Sequence, residues 1–245
     1  MEVALKIDKS QLYSNIKYKI TEKNLKIGEV ETKAGMTAGY LSKLQKDESK
    51  TNNILDFIVN VAKLLDVSID SLIHVDYASL TNAEEYFANF LDKLIRDTLA
   101  EELEWEKEAF ESFDDFSFQS KHPLFKIVKC EDSTYEPQEM GYNSLFTPGA
   151  QIQSDCFSTR IKNKRLYLMN VSISQSVSAK ELYFVQSERG WEYPEVIKVC
   201  QIDTNSPLNE LAEDLVMTAR ESSTHIKLED AAKAIIDDFM SGIPF

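Results

Sequence analysis

The chain has 245 residues, 43% hydrophobic and 10% aromatic, which is enough apolar side chain for packed cores and excludes a disordered polymer. That length predicts two domains. The formal net charge of -14 weighs against general nucleic-acid affinity; no apolar run is long enough to span a bilayer, and Met1 to Asp8 lacks a charged-then-apolar leader, so a cytoplasmic protein is expected.

Residues 1–9 read as an arm or a short strand, with Lys6 and Lys9 available to phosphate. From Ser10 to Asn24, Leu12, Ile16 and Ile20 recur at steps of four and predict a first helix, with Lys17, Lys19 and Lys23 on its other faces. Leu25 to Lys46 holds two short apolar faces, Ile27, Val30 and Ala34, then Tyr40, Leu41 and Leu44. Between them Gly35 can take the left-handed backbone that ends a helix, and Thr37 offers a hydroxyl to cap the next. Two short helices meeting at a glycine-containing turn describe a helix-turn-helix, whose second helix enters the major groove of DNA. The candidate DNA-binding residues are therefore Thr37, Ala38, Gly39, Ser42, Lys43 and Lys46, with Lys50 and Asn52 in the loop after that helix. Lys43 suits guanine O6 or N7, Ser42 either base type, and Ala38 and Gly39 leave room for close approach. In helix-turn-helix geometry Glu31 would face the second helix, where an unpaired carboxylate is costly, so either the two helices splay slightly or Glu31 finds a partner such as Lys43 or Tyr40.

Further on, Asn53 to Ile73 places Ile54, Phe57, Ile58, Val61, Ala62, Leu64 and Leu65 on one helical face and closes with Leu72 and Ile73. From Leu12 to Asp76 the chain thus resembles the phage-repressor-like (XRE-type) helix-turn-helix domain, a compact five-helix unit. It departs from that pattern at Glu31, where the family places a small residue, and at Ile27, where it often places Gln. The whole chain resembles larger bacterial regulators of this type. The resemblance implies double-stranded DNA as partner, action as a homodimer, and a repressor-like role in transcription. Charge distribution suits this reading. Residues 1–50 carry ten lysines against seven acids, and the acid excess lies downstream, its reach limited by screening to about 8 Å at physiological salt.

Thr81 and Glu84 form a capping-box signature ahead of a long helix bearing Ala83, Phe87, Phe90, Leu91, Leu94, Ile95, Leu99, Leu103 and Phe110. Twelve acids against three bases lie between Ala83 and Asp115. A solvated face above a core-facing stripe is one reading, and a dimerisation spacer is the other. The second domain starts near Phe116. It has a strand over Leu124–Cys130, a turn-rich loop or lid from Glu131 to Ala150, and a hairpin joining Gln151–Ile161 to Arg165–Ser174. Strands at Leu182–Gln186 and Val196–Cys200 come next, then a helix from Leu208 to Ala219 started by Ser206-Pro207, and a last helix carrying Leu228 to Phe239. Strands and helices in blocks indicate an α+β fold. The domains are expected at 1–76 (helix-turn-helix), 77–115 (acidic linker or dimerisation helix) and 116–245 (α+β, for association or for sensing a protein or small-molecule effector).

No catalytic residue, metal site or cofactor is expected. His74, His122 and His225 are isolated in sequence, no glycine-rich phosphate loop occurs, and the Ser-Lys self-cleavage machinery of some larger repressors is absent. Cys130, Cys156 and Cys200, odd in number and widely spaced, read as reduced buried thiols. The alternative to a DNA-binding regulator is a protein-binding module that reuses the helix-turn-helix, such as a phage-encoded inhibitor of host defence or an antitoxin.

Overall fold

The computed structural model describes residues 7–46, 54–108, 124–129, 135–139, 151–153, 155–173, 177–186 and 195–224. Seven helices and eight strands occur among them, in an α+β arrangement. The helices are α1 (Lys9–Glu22), α2 (Ile27–Lys33), α3 (Tyr40–Gln45), α4 (Ile54–Leu65), α5 (Ile69–His74), α6 (Asn82–Leu99) and α7 (Asn209–Thr224). The strands are β1 (Trp105–Glu108), β2 (Phe125–Lys129), β3 (Tyr135–Glu139), β4 (Gln151–Ile152), β5 (Cys156–Ile161), β6 (Lys164–Ser172), β7 (Ser178–Gln186) and β8 (Glu195–Asp203). The N-terminal arm before Ile7, Cys130, His122, His225 and the expected last helix lie outside the described residues.

Helices α1 to α5 share one core. Leu12, Ile16 and Ile20 of α1 meet Val30 and Ala34, Leu41 and Leu44, and the apolar face of α4 that runs from Ile54 to Leu65. Asp8 starts α1, its carboxylate accepting from the backbone N–H of Ser10 (2.9 Å) and Gln11 (3.1 Å). Ile27, expected in this core, is 38% exposed instead. It stands in the first turn of α2, while the inward face of that short helix is taken by Val30 and Glu31.

The capping box at Thr81 and Glu84 forms as expected. The helix it starts is shorter than the sequence periodicity implies, ending at Leu99 rather than running on past Leu103 to Phe110. Glu101 takes a left-handed conformation (φ 59°), and the backbone N–H groups of Glu102 and Leu103 both return to the Asp97 carbonyl, at 2.8 and 3.1 Å. Beyond this turn the chain joins the sheet. Trp105 is buried and pairs with Thr159, and its indole N–H donates to the Thr98 hydroxyl at 2.8 Å. The apolar stripe of α6 is also occupied within the chain. Ala88, Leu91, Leu94 and Ile95 belong to one core with Leu166, Leu168 and Leu182 of the sheet and Leu211 and Leu215 of α7. That stripe is core within the chain.

The main sheet is antiparallel in the order β1-β5-β6-β7-β8, and β4 pairs with β6 beyond the end of β5. One face, with Phe157, Leu166, Leu168 and Leu182, packs on α6 and α7; the other carries Cys156, Tyr167, Met169, Val171 and Tyr183. Period-two alternation along β6 fills both sides, so both faces of its middle are buried. The segment expected as one strand from Gln151 to Ile161 is divided into β4 and β5. The Cys156 thiol sits at the break, donating to the Gln153 carbonyl (3.3 Å) and accepting from the Asn170 N–H (3.3 Å). Residues expected as loop between Glu131 and Ala150 include strand β3, paired with β2 as a separate two-stranded sheet. Pro137 is tolerated there because such a ribbon leaves each strand one free edge.

Candidate nucleic-acid interface

The turn before α3 differs from its expected chemistry while placing the expected face outward. Gly35 (φ 81°) and Gly39 (φ 85°) both adopt left-handed backbone, and a Cβ at either would meet nothing within 4 Å. Their need for glycine is therefore conformational rather than steric. Gly39, not Thr37, is the N-cap of α3, and Thr37 contributes only its carbonyl, which accepts from the Tyr40 N–H at 3.2 Å. Glycine has no side chain to cap with, so the cap comes from elsewhere. Glu31 of α2, 2% exposed, accepts from Gly39 N–H through Oε2 and from Leu41 N–H through Oε1, both at 2.8 Å. Neither Lys43 nor Tyr40 is its partner. A carboxylate set against the positive end of a helix gains both hydrogen bonds and dipole attraction, which explains why an acid is tolerated in this buried position.

Leu41 and Leu44 hold the inner face of α3, both at most 1% exposed. Thr37, Ala38, Ser42, Lys43 and Lys46 are exposed, and Gly39 is half-buried at the start of the helix. Lys50 and Asn52 lie outside the described residues. Tyr40 packs on Phe57 of α4 with ring centroids 4.7 Å apart, and its hydroxyl is buried with no hydrogen-bond partner among the described residues, so it does not reach out to a phosphate. Burial also raises that phenol's pKa.

Of the lysines on α1, Lys17 and Lys23 are exposed. Lys19 is not available. At 1% exposure it donates to Glu22 (2.9 Å) and to Asn89 of α6 (2.8 Å), with its Nζ 4.0 Å from the centre of the Tyr77 ring. Sequence spacing ranks it with its neighbours, because its partner on α6 is 70 residues away.

That contact is one of several that fix the five helices onto α6 and α7. The Tyr18 hydroxyl donates to Glu85 at 2.7 Å, and this bond holds the phenol up near 12. Asp92 of α6, 2% exposed, accepts from the N–H of Ser68 at 2.7 Å and from the Arg96 guanidinium at 3.0 Å. Ser68 is itself the N-cap of α5, so a buried acid from α6 fixes where α5 begins. The amide of Asn15 donates to the Leu72 carbonyl at 2.9 Å and also to that of Val75. At the far end of α5, His74 is hydrogen-bonded to Glu210 of α7 at 2.8 Å. His74 is isolated in sequence but not in space, for single donor atoms of His74, Asp70 and Asp214 all lie within 4.8 Å of one another.

The described cysteines are free, Cys156 buried and Cys200 half-buried. Desolvation pushes their thiols up to about 12 and about 11, so neither is a ready nucleophile near neutral pH. No helix among the described residues is long and apolar enough to cross a membrane. No family model, curated protein or solved structure matches the chain.

Proposed function

We propose that the chain is a sequence-specific DNA-binding transcriptional regulator whose α1–α5 unit is a helix-turn-helix domain with α3 as its reader. The supporting observation is the mounting of α3: Leu41 and Leu44 anchor it, the Glu31 carboxylate fixes its start, and Ala38, Ser42, Lys43 and Lys46 are left outward. In this reading Lys43 donates to a base edge, while Lys46, Lys17 and Lys23 hold phosphates. A homodimer would present two such helices to half-sites about one helical turn apart and act by occupying an operator, repression being the simplest outcome. Its contacts would come from surfaces other than the α6 stripe, which the chain's own sheet and α7 cover. The sheet half would serve association or the sensing of an effector.

A gel-shift series with the DNA upstream of its own gene tests this. Lys43→Ala should cost about 1–3 kcal/mol against the specific site and leave non-specific affinity much less changed. Equal losses on both would reduce Lys43 to a phosphate contact, and no shift with any upstream fragment would remove the regulator reading. Affinity should also fall steeply as salt rises.

The second reading is a protein-binding module, and two observations favour it. The chain has 41 acids against 27 bases, and α3 carries no arginine for bidentate contact with guanine. Recovery of one stoichiometric protein partner together with absence of a DNA shift would select it.

A further inference from the structure

In a protein with so large an acid excess, the tip of the β5–β6 hairpin stands apart. Arg160, Lys162, Lys164 and Arg165 line one open concavity of about 450 Å³, together with Asn163 and Tyr167 and without any carboxylate. Arg165 is committed to the sheet: its guanidinium donates to Ser158 (3.2 Å) and Glu106 (3.1 Å), with Glu108 3.8 Å away. Those two acids offset its charge. Arg160, Lys162 and Lys164 have no carboxylate to pair with among the described residues; Lys164 lies 6.0 Å from the centre of the Phe184 ring. Lys162 adopts left-handed backbone (φ 56°) at the hairpin turn, a position where glycine is easier, so a cation stands at the rim.

We propose that this concavity is a binding site for a small phosphate- or diphosphate-bearing ligand. Three cations with no carboxylate partner among the described residues call for more than one negative charge, which a single carboxylate does not supply. Phosphate oxygens suit a mixed set of one planar guanidinium fork and two mobile ammonium groups. The volume falls within the range of small-molecule sites. The Tyr167 hydroxyl, hydrogen-bonded by Arg165, is a phenol that burial and the Glu108 carboxylate push up to about 12, further from ionisation at neutral pH. It adds polar character to the lining without adding negative charge. The cluster lies on β5 and β6, so this inference is independent of the reading of α3.

Calorimetric titration of the full chain with inorganic pyrophosphate tests it. The wild type should bind, and Arg160→Ala and Lys164→Ala should each weaken binding by about tenfold. Lys93→Ala, which removes a surface lysine of α6 paired with Asp97, should change it by less than about twofold. A flat wild-type titration, or equal losses in the control, overturns the site. A duplex oligonucleotide titrated against the same variants separates a small ligand from DNA phosphate. If Arg160→Ala weakens the duplex more than pyrophosphate, the small-ligand proposal is overturned and the hairpin is a backbone contact.

Discussion

The start of α3 and the start of α6 meet the same physical demand in different ways. Both must satisfy backbone N–H groups that have no partner within the helix. At α6 the solution is local and exposed: Thr81 and Glu84, three residues apart, cap one another's backbone. At α3 it is remote and buried: Glu31 reaches from the preceding helix to Gly39 and Leu41, eight and ten residues on. A local cap is replaceable by water when lost. A remote buried cap leaves groups that water does not reach, and it also sets the angle between two helices.

Breaking the remote cap should therefore have the largest effect. Glu31→Ala leaves two N–H groups without their acceptor and should destabilise the chain by about 3 kcal/mol in urea unfolding. Glu31→Gln should recover less than half of this. Each carboxylate oxygen serves a different N–H, so an amide necessarily turns its NH2 toward one of them. Full stability in Glu31→Gln would show that the charge and the second acceptor are irrelevant. Next comes Asp92→Ala, which strips the Ser68 N–H and the Arg96 guanidinium of one buried acceptor and should cost about 2 kcal/mol. Its loss should appear as faster amide exchange at α5 before α6 opens. Thr81→Ala removes only the exposed cap and should cost about 1 kcal/mol, measured in the same unfolding assay. If it equals Glu31→Ala, the distinction between local and remote caps is wrong.

An effect of the opposite sign concerns Asp214, one oxygen of which is buried and makes no hydrogen bond among the described residues. Burial and then the Asp70 carboxylate raise its pKa from 3.8 to about 6, with His74 opposing them and Glu210 and Glu213 adding lesser upward pushes. A carboxyl raised in the folded state favours folding when protonated. Its contribution is complete below 3.8 and is lost as pH rises through about 6. Asp214→Asn should flatten the stability profile between pH 4 and about 6 and stabilise the chain at pH 7 relative to wild type, as read from Tm. An unchanged slope across that window would mean that Asp214 stays solvated.

These contrasts separate what is legible in the sequence from what is not. The core of α1, that of α4 except Leu64 (37% exposed), the positive φ at Gly35, the capping box at Thr81 and the alternation of β6 depend on residues within a few positions of one another, and read correctly. The end of α6 does not. Leu103 and Phe110 continue its periodicity, yet the chain turns at Glu101 and Trp105 pairs with Thr159 in the sheet. Lys19 resembles its exposed neighbours in sequence, and only the folded chain closes Asn89 and Tyr77 over it. At the candidate interface the outward face of α3 is legible from the spacing of Leu41 and Leu44. The cap that holds it is not, because Glu31 is distinguished only by what it faces.

The sequence alone determined the periodic faces, the chain reversals and the uneven distribution of charge, since each arises from side chains a turn or a pleat apart. Tertiary packing decided which charges are buried and by what they are held, where α6 gives way to the sheet, and which cations gather at the β5–β6 hairpin. Desolvation makes those outcomes depend on partners tens of residues distant, and no local pattern encodes the meeting.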